Sequence, residues 1–284
     1  MANLKEIRNR IASVSSTMQI TSAMKMVSAA KLKKAQDAIT AMRPYSDKLT
    51  ELLQNLSATL DADSGSKFSE QRDVKNVLIV AITSNRGLCG AFNSNIIKQA
   101  TAVAESYDAK VSIVAIGKKA NDALSKNFEV ISNQSPVFDN LTFANVAAIA
   151  EMLMEQFESK AFDKIEVVYN KFKNAATQEI MTEQFLPIVP LASASNSNQD
   201  YIFEPSKEEI VETLIPKSLK TQLYKSIRDS FASEHGARMT AMHKATDNAT
   251  ELRDQLKLTY NKARQASITN EILEIVGGAE ALNG

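Results

Sequence analysis

The chain has 284 residues, 33 Lys and Arg against 33 Asp and Glu, and a formal net charge of zero. That balance excludes a generic nucleic-acid binder, which would be basic overall. One Cys excludes a disulfide scaffold or Cys-rich metal centre, and two His (His235 and His243) leave little for a histidine-built one.

The 8 Gly and 6 Pro are unevenly spread, with no Gly before Gly65 and no Pro after Pro216, so both ends are short of helix breakers. The residues after Met1 reach Leu4, Ile7 and Ile11 at helical spacing with no signal-peptide core, and no run approaches the ~18 apolar residues of a membrane span. A soluble protein of a reducing compartment is expected. Steps of three and four continue through Val14, Met18, Thr21, Lys25, Ser28, Leu32, Ala35, Ile39, Met42, Ser46, Leu49, Leu53, Leu56 and Leu60. This heptad seam predicts a coiled-coil helix over 1–60, about 85 Å long at a rise of roughly 1.5 Å per residue. Pro44 is expected to kink it or end it near Arg43. Thr21, Lys25 and Ser28 soften the seam where a self-contained coil would carry Leu or Ile.

A polar linker, 61–72, leads into an alternating middle, 73–205. Asn76 to Thr83 and Lys110 to Gly117 are short continuous apolar runs, the pattern of buried parallel strands. Phe128 to Ser132 and Ile165 to Tyr169 read as further strands, and Gln178 to Leu186 as an edge strand. Helices are expected from Asn93 to Glu105, Lys118 to Lys126 and Thr142 to Phe157, the last with Val146, Ile149, Leu153 and Phe157 on one face. The alternation predicts a mostly parallel, Rossmann-like sheet with flanking helices. From about Lys217 a second seam runs through Phe231, His235, Arg238, Met242, Ala245, Ala249, Leu252, Leu256, Thr259, Ala263, Ala266, Asn270 and Leu273, and is expected to close at Gly277 and Gly278. The predicted fold is thus α/β with long helices: an antiparallel coiled coil of 1–60 with 206–284, and an α/β domain inserted between them.

The middle shows no enzyme's site. The loop Ser84 to Gly90 follows a strand, but it matches neither G-x-x-x-x-G-K-[ST] nor G-x-G-x-x-G and reads as a tight strand–helix turn. Cys89 has no partner Cys and reads as a buried structural thiol. No catalytic, metal or cofactor residue is expected. Charge differs by region: residues 1–60 balance at +5, 61–204 at −5 and 205–284 at zero. The N-terminal helix is a basic rod with Lys25, Lys31, Lys33 and Lys34 clustered, either a solvated face or one suited to an acidic partner.

Ile268-Thr269-Asn270-Glu271-Ile272-Leu273-Glu274-Ile275-Val276-Gly277-Gly278-Ala279-Glu280-Ala281 fits the pattern [IV]-T-x-E-x-x-[DE]-x-x-x-G-A-x-[SA] at every fixed position. With Tyr260 to Ser267, Ala237 to Met242, Ala245 to Asn248, Ala23 to Val27, Arg43-Pro44-Tyr45 and Arg86 to Gly90, it resembles the γ subunits of F-type ATP synthases. The resemblance spans the chain, dense at both ends and weak between Asn121 and Asn198. It implies a central rotor shaft, non-catalytic itself, that couples ion flow through the membrane sector to the catalytic β subunits. The implied partners are the α3β3 hexamer, the ε subunit and the c-ring, one copy of the chain serving each complex. The implied location is peripheral, on the cytoplasmic face of a bacterial inner membrane. By the same resemblance, Arg264, Gln265 and Thr269 face a β catch loop, and Met24, Lys25, Lys31, Lys33 and Lys34 face an acidic β lever. Ile272, Ile275 and Val276 belong to a tip that slides in an apolar collar, and Tyr201, Phe203 and Glu204 to a foot near ε and the c-ring. Some members carry an acidic residue where this chain has Lys25, and the dithiol switch of chloroplast members is not expected with Cys89 alone. A flagellin-type filament protein and a nucleotide-dependent α/β enzyme with helical arms are the competing readings.

Overall fold

The computed structural model describes residues 4–57, 67–188 and 207–283. In chain order the elements are α1 (Leu4–Ser57), β1 (Asn76–Ile82), α2 (Phe92–Glu105), β2 (Lys110–Ile116), α3 (Lys118–Leu124) and β3 (Glu129–Asn133). After a short 3-10 helix (Ser135–Phe138) come α4 (Phe143–Glu158), β4 (Lys164–Phe172), β5 (Gln178–Leu186) and α5 (Lys207–Asn283). The strands form one sheet in the order β3-β2-β1-β4-β5, parallel throughout except for β5, which pairs antiparallel with β4 at the edge.

β1 is apolar at every inward position because it is covered on both faces. Leu78, Val80 and Ile82 point into a core with Ile149, Leu153 and Phe157 of α4 and Leu219, Leu223 and Ile227 of α5. Val77, Ile79 and Ala81 point the other way, against Ile96 and Ala100 of α2 and Leu124 of α3. Strand alternation therefore sends one unbroken apolar run to two cores, each large side chain contributing about 1.5–3 kcal/mol on burial. α4 opens with Thr142, whose hydroxyl accepts from the Asn145 N–H at 3.3 Å. At the turn into α3, Gly117 sits at φ +114, and a Cβ there would lie 2.2 Å from the Thr83 carbonyl oxygen, so no other residue fits.

The chain divides into two compact units, Met1–Ser28 with Met239–Gly284, and Ala29–Arg238. Within the first, α1 and α5 run antiparallel: Arg8 bonds the Tyr260 hydroxyl at 2.8 Å, and the Thr246 hydroxyl donates to that of Thr21 at 2.8 Å. Within the second, Lys31 of α1 lies in the electrostatic range of Glu234 and His235, and Arg43 in that of Asp229, again in opposed directions along the two helices. Every buried residue among those described in α1 (Ile7, Thr21, Ser28, Leu32, Ala35, Ile39, Ser46 and Leu49) lies on the seam read from the sequence.

The structure refines or corrects the sequence reading at four points. Of the two outcomes expected at Pro44 the helix does not end: α1 continues to Ser57 with the proline inside it; one missing N–H removes one bond, and the buried Ser46 and Leu49 hold the far side. α5 starts at Lys207, inside the expected 206–284 span and ten residues before the point at which its seam becomes readable, with Pro216 inside it. It also passes through Gly277 and Gly278 to Asn283, because nothing demands a left-handed cap there and helix-forming Ala279, Glu280 and Ala281 follow. Beyond Ala249 every second seam position moves by one: Leu252, Thr259 and Ala266 are exposed, while Arg253, Tyr260 and Ser267 turn inward, and Leu256 and Ala263 stay on the seam as read. A straight helix of 3.6 residues per turn drifts from a strict 3.5 repeat, which carries the contact face forward in this way.

Candidate functional site

Arg8 bonds Tyr260, so antiparallel counting sets residue 264 opposite the start of α1 at Leu4, and α5 runs on past that point to Asn283. Residues 268–280 are all exposed, including Ile272 at 54%, Ile275 at 71% and Val276 at 54%. Gln265, Thr269, Ile272 and Val276 fall on one stripe, with Arg264, Ile268 and Ile275 beside it. The Thr269 hydroxyl donates to the Gln265 carbonyl at 3.0 Å. An exposed amphiphilic rod of this kind is suited to an apolar socket with polar groups at its rim.

In the first unit Met24 and Lys25 are half-buried on the α1 seam. The soft polar positions around them are satisfied locally: Ser28 donates to the Met24 carbonyl at 2.7 Å, and Thr21 accepts from Thr246. In the second unit Lys31, Lys33 and Lys34 are exposed while Leu32 and Ala35 between them are buried, so the three cations share the outward side of α1. The structure thus splits the expected lysine cluster between the two units. Tyr201, Phe203 and Glu204 lie outside the described residues.

Sequence reasoning missed a buried polar belt on α5, where Ser226, Asp229, Ser230, Ser233, Glu234, His235 and Arg238 are all inaccessible. The one available signal was the presence of His235 and Arg238 on a seam otherwise rich in Ala and Met. The belt crosses the carboxyl ends of β1 and β4, the switch point at which open α/β sheets bind ligands. Here that crevice is filled by protein. Ser233 donates to the Asn170 carbonyl at 3.0 Å, and Asn170 in turn donates to the Phe92 carbonyl at 3.2 Å. Arg238 donates to the carbonyls of Arg86 and Gly87 at 3.1 and 3.3 Å. Gly236 lets the helix approach the β4–β5 turn, since a Cβ would come within 3.1 Å of the Ala175 Cα.

Burial dominates the electrostatics of the belt. It lifts Asp229 to about 6, against the pull of Arg43, Lys225 and Lys171 and with a small push from Glu183. It depresses His235 to about 3, assisted by Arg238 and Lys31. It raises Glu234 despite the ion pair with Arg238 at 2.5 Å. Asp229 Oδ1 and both His235 nitrogens have no hydrogen-bond partner among the described residues. Cys89 is buried, as expected, and its thiol is pushed up by the loss of water, which keeps it unreactive. Elsewhere, a shallow cleft of about 280 Å³ is lined by Asn85, Asn121, Asp122, Asn133 and Asp139. Asn85 spends its amide on the Ser135 carbonyl and its oxygen on the Lys118 N–H. No helix among the described residues is long and apolar enough to cross a membrane.

A family model described as ATP synthase matches residues 3–282. The ATP synthase gamma chain of Flavobacterium psychrophilum is 77% identical over 286 aligned residues, and that of Cytophaga hutchinsonii 55% over 294, each alignment covering 100% of both chains. Among solved structures, a chain of the Euglena gracilis mitochondrial ATP synthase (OSCP/F1/c-ring, rotational state 3) shares the fold with a TM-score of 0.70 at 22% identity, over 98% of this chain and 94% of that one. A chain from the Tetrahymena thermophila mitochondrial ATP synthase central stalk and c-ring gives 0.60 at 25% identity, over 80% and 99%. Terminal helices paired antiparallel, a five-stranded sheet between them and identity sustained from end to end agree, and the chain belongs to the ATP synthase gamma chain family.

Proposed function

We propose that this chain is the rotor shaft of a rotary ATP synthase, turning inside a hexamer of three α and three β subunits and holding no catalytic site of its own. The observation that carries the reading is the full-length identity to gamma chains. The exposed α5 tail supports it, because a rod with exposed Ile272, Ile275 and Val276 needs an apolar collar to cover it. In this reading 1–60 and 206–284 form the shaft and 73–205 the body. Arg264, Gln265 and Thr269 engage β near the top of the shaft. Met24, Lys25, Lys31, Lys33 and Lys34 meet an acidic β segment, with attraction that fades over about 8–10 Å in physiological salt. Tyr201, Phe203 and Glu204 serve the foot, near ε and the c-ring. The chain is then peripheral to the membrane, held through the c-ring on the cytoplasmic face of a bacterial inner membrane. No part of it turns over nucleotide; its asymmetry drives the β sites, and the filled switch point beside Arg238 leaves no opening for a nucleotide at that place.

Native mass spectrometry of the complex captured with this chain tests the reading. One copy of the chain should appear with three copies each of two larger subunits. Equal stoichiometry, or ATP turnover by the purified chain, would sink it.

A further inference from the structure

We infer that Arg238 is a positioning residue that locks the loop between β1 and α2 onto α5 in a strained conformation. Leu88 stands at φ +63, in the left-handed region that a Leu side chain disfavours. Its side chain is 66% exposed, so burial does not offset the strain. What holds the loop is hydrogen bonding on either side of Leu88. Ser84 donates to the Arg86 carbonyl at 2.6 Å, and the Asn93 amide reaches the Cys89 sulfur at 3.2 Å. Arg238, 7% exposed, adds two bonds from one guanidinium nitrogen, to the carbonyls of Arg86 and Gly87.

The other guanidinium nitrogen is held by Glu234, one turn back on the same helix and 8% exposed. A buried ion pair within one helix is a poor source of stability, since removing two charges from water offsets most of their attraction. Its effect here is directional: Glu234 fixes the fork so that the remaining nitrogen points at the loop. Arg86 and Leu88 are thereby presented as a fixed exposed knob that moves with α5. This last consequence rests on the rotor reading: in a turning shaft, a force on the knob passes into the helix instead of bending the loop.

Backbone nitrogen-15 relaxation on the full chain tests the lock in the free protein and so stands apart from whether the chain assembles. Arg238→Lys keeps a cation opposite Glu234 but lacks the second nitrogen. Order parameters at 86–90 are expected to fall from about 0.85 to below about 0.6, while β1 and α2 keep theirs. Adding Leu88→Asn, which tolerates the left-handed region, should bring the loop back most of the way to its starting values. If Arg238→Lys does not fold, the pair Glu234→Met with Arg238→Met removes both charges of the ion pair and should loosen the same five residues. Unchanged order in the loop would overturn the inference. So would a loss shared by β1 and α2, or a loop that Leu88→Asn leaves as mobile as before.

Discussion

Asp229 and His235 are six positions apart on α5 and both are buried, yet burial moves their protons in opposite directions. Asp229 rises from 3.8 to about 6, so the folded chain holds its proton more tightly than the unfolded chain does. Its contribution is fully present below about pH 4 and is lost as the pH rises through about 6. His235 falls from 6.5 to about 3, so its contribution is present above about pH 6.5 and is lost as the pH drops towards 3. Between pH 4 and 6 the two slopes oppose, and the wild-type stability curve should be flatter than that of either variant. Asp229→Asn should gain on the order of 2 kcal/mol in urea unfolding at pH 8 and nothing at pH 4. A loss at pH 8 would mean that Arg43, Lys225 and Lys171 outweigh the cost of burying the charge. His235→Leu removes two unpartnered nitrogens; it should leave stability at pH 8 within about 1 kcal/mol of the parent and, with the Asp229 slope alone remaining, rise from pH 6 to pH 4 where the parent is nearly level.

Among the elements, regular ones were legible and exceptions were not. The α1 seam could be read residue by residue because its apolar spacing and its contact face have the same period. The strands could be read because β1 and β2, covered on two faces, have no polar alternation to confuse. The α5 seam was fully legible to Ala249; after it Leu256 and Ala263 held, while helical drift moved the positions between them, from Leu252 to Arg253 and from Thr259 to Tyr260. The end of α5 was misread because Gly277-Gly278 looks like a stop and is not used as one. A Cβ at either glycine meets nothing within 4 Å, so Gly277→Ala and Gly278→Ala should each stabilise the tail by about 0.5–1 kcal/mol. Slower amide exchange at 279–283 would show it, and unchanged exchange would mean that the tail is not limited by its glycines. Gly236 behaves differently: against the Ala175 backbone at 3.1 Å, Gly236→Val should cost about 1–3 kcal/mol by overpacking, read as a lowered Tm. The loop lock was invisible in the sequence because Arg238 and Arg86 are separated by 152 residues; no local pattern announces such a bond.

At the scale of the molecule, removing residues 265–284 separates folding from function. Residues 265–280 are exposed apart from Ser267, which is half-buried, so the truncated chain should keep its Tm within a few degrees while ion-driven ATP synthesis by the assembled complex falls. Wholesale unfolding of the truncated chain would contradict the proposed role of the tail. The fold class was open to inspection because both ends repeat and the middle alternates; the division at Ser28 and Met239 was not, since each long helix crosses it without a change in composition. The antiparallel pairing also has a consequence for biosynthesis. Arg8 and its partner Tyr260 are 252 residues apart, an interval that a ribosome adding about 5–20 residues per second covers in roughly ten to fifty seconds. The sheet, whose strands lie between 76 and 186, emerges whole within that interval. Ile7, Leu32 and Ile39 must wait through it with their apolar side uncovered, so α1 is the first element made and among the last to find its place. A nascent chain stalled before α5 would therefore present a long helix with an uncovered apolar face to the surrounding solvent, a substrate for chaperones that the finished protein is not.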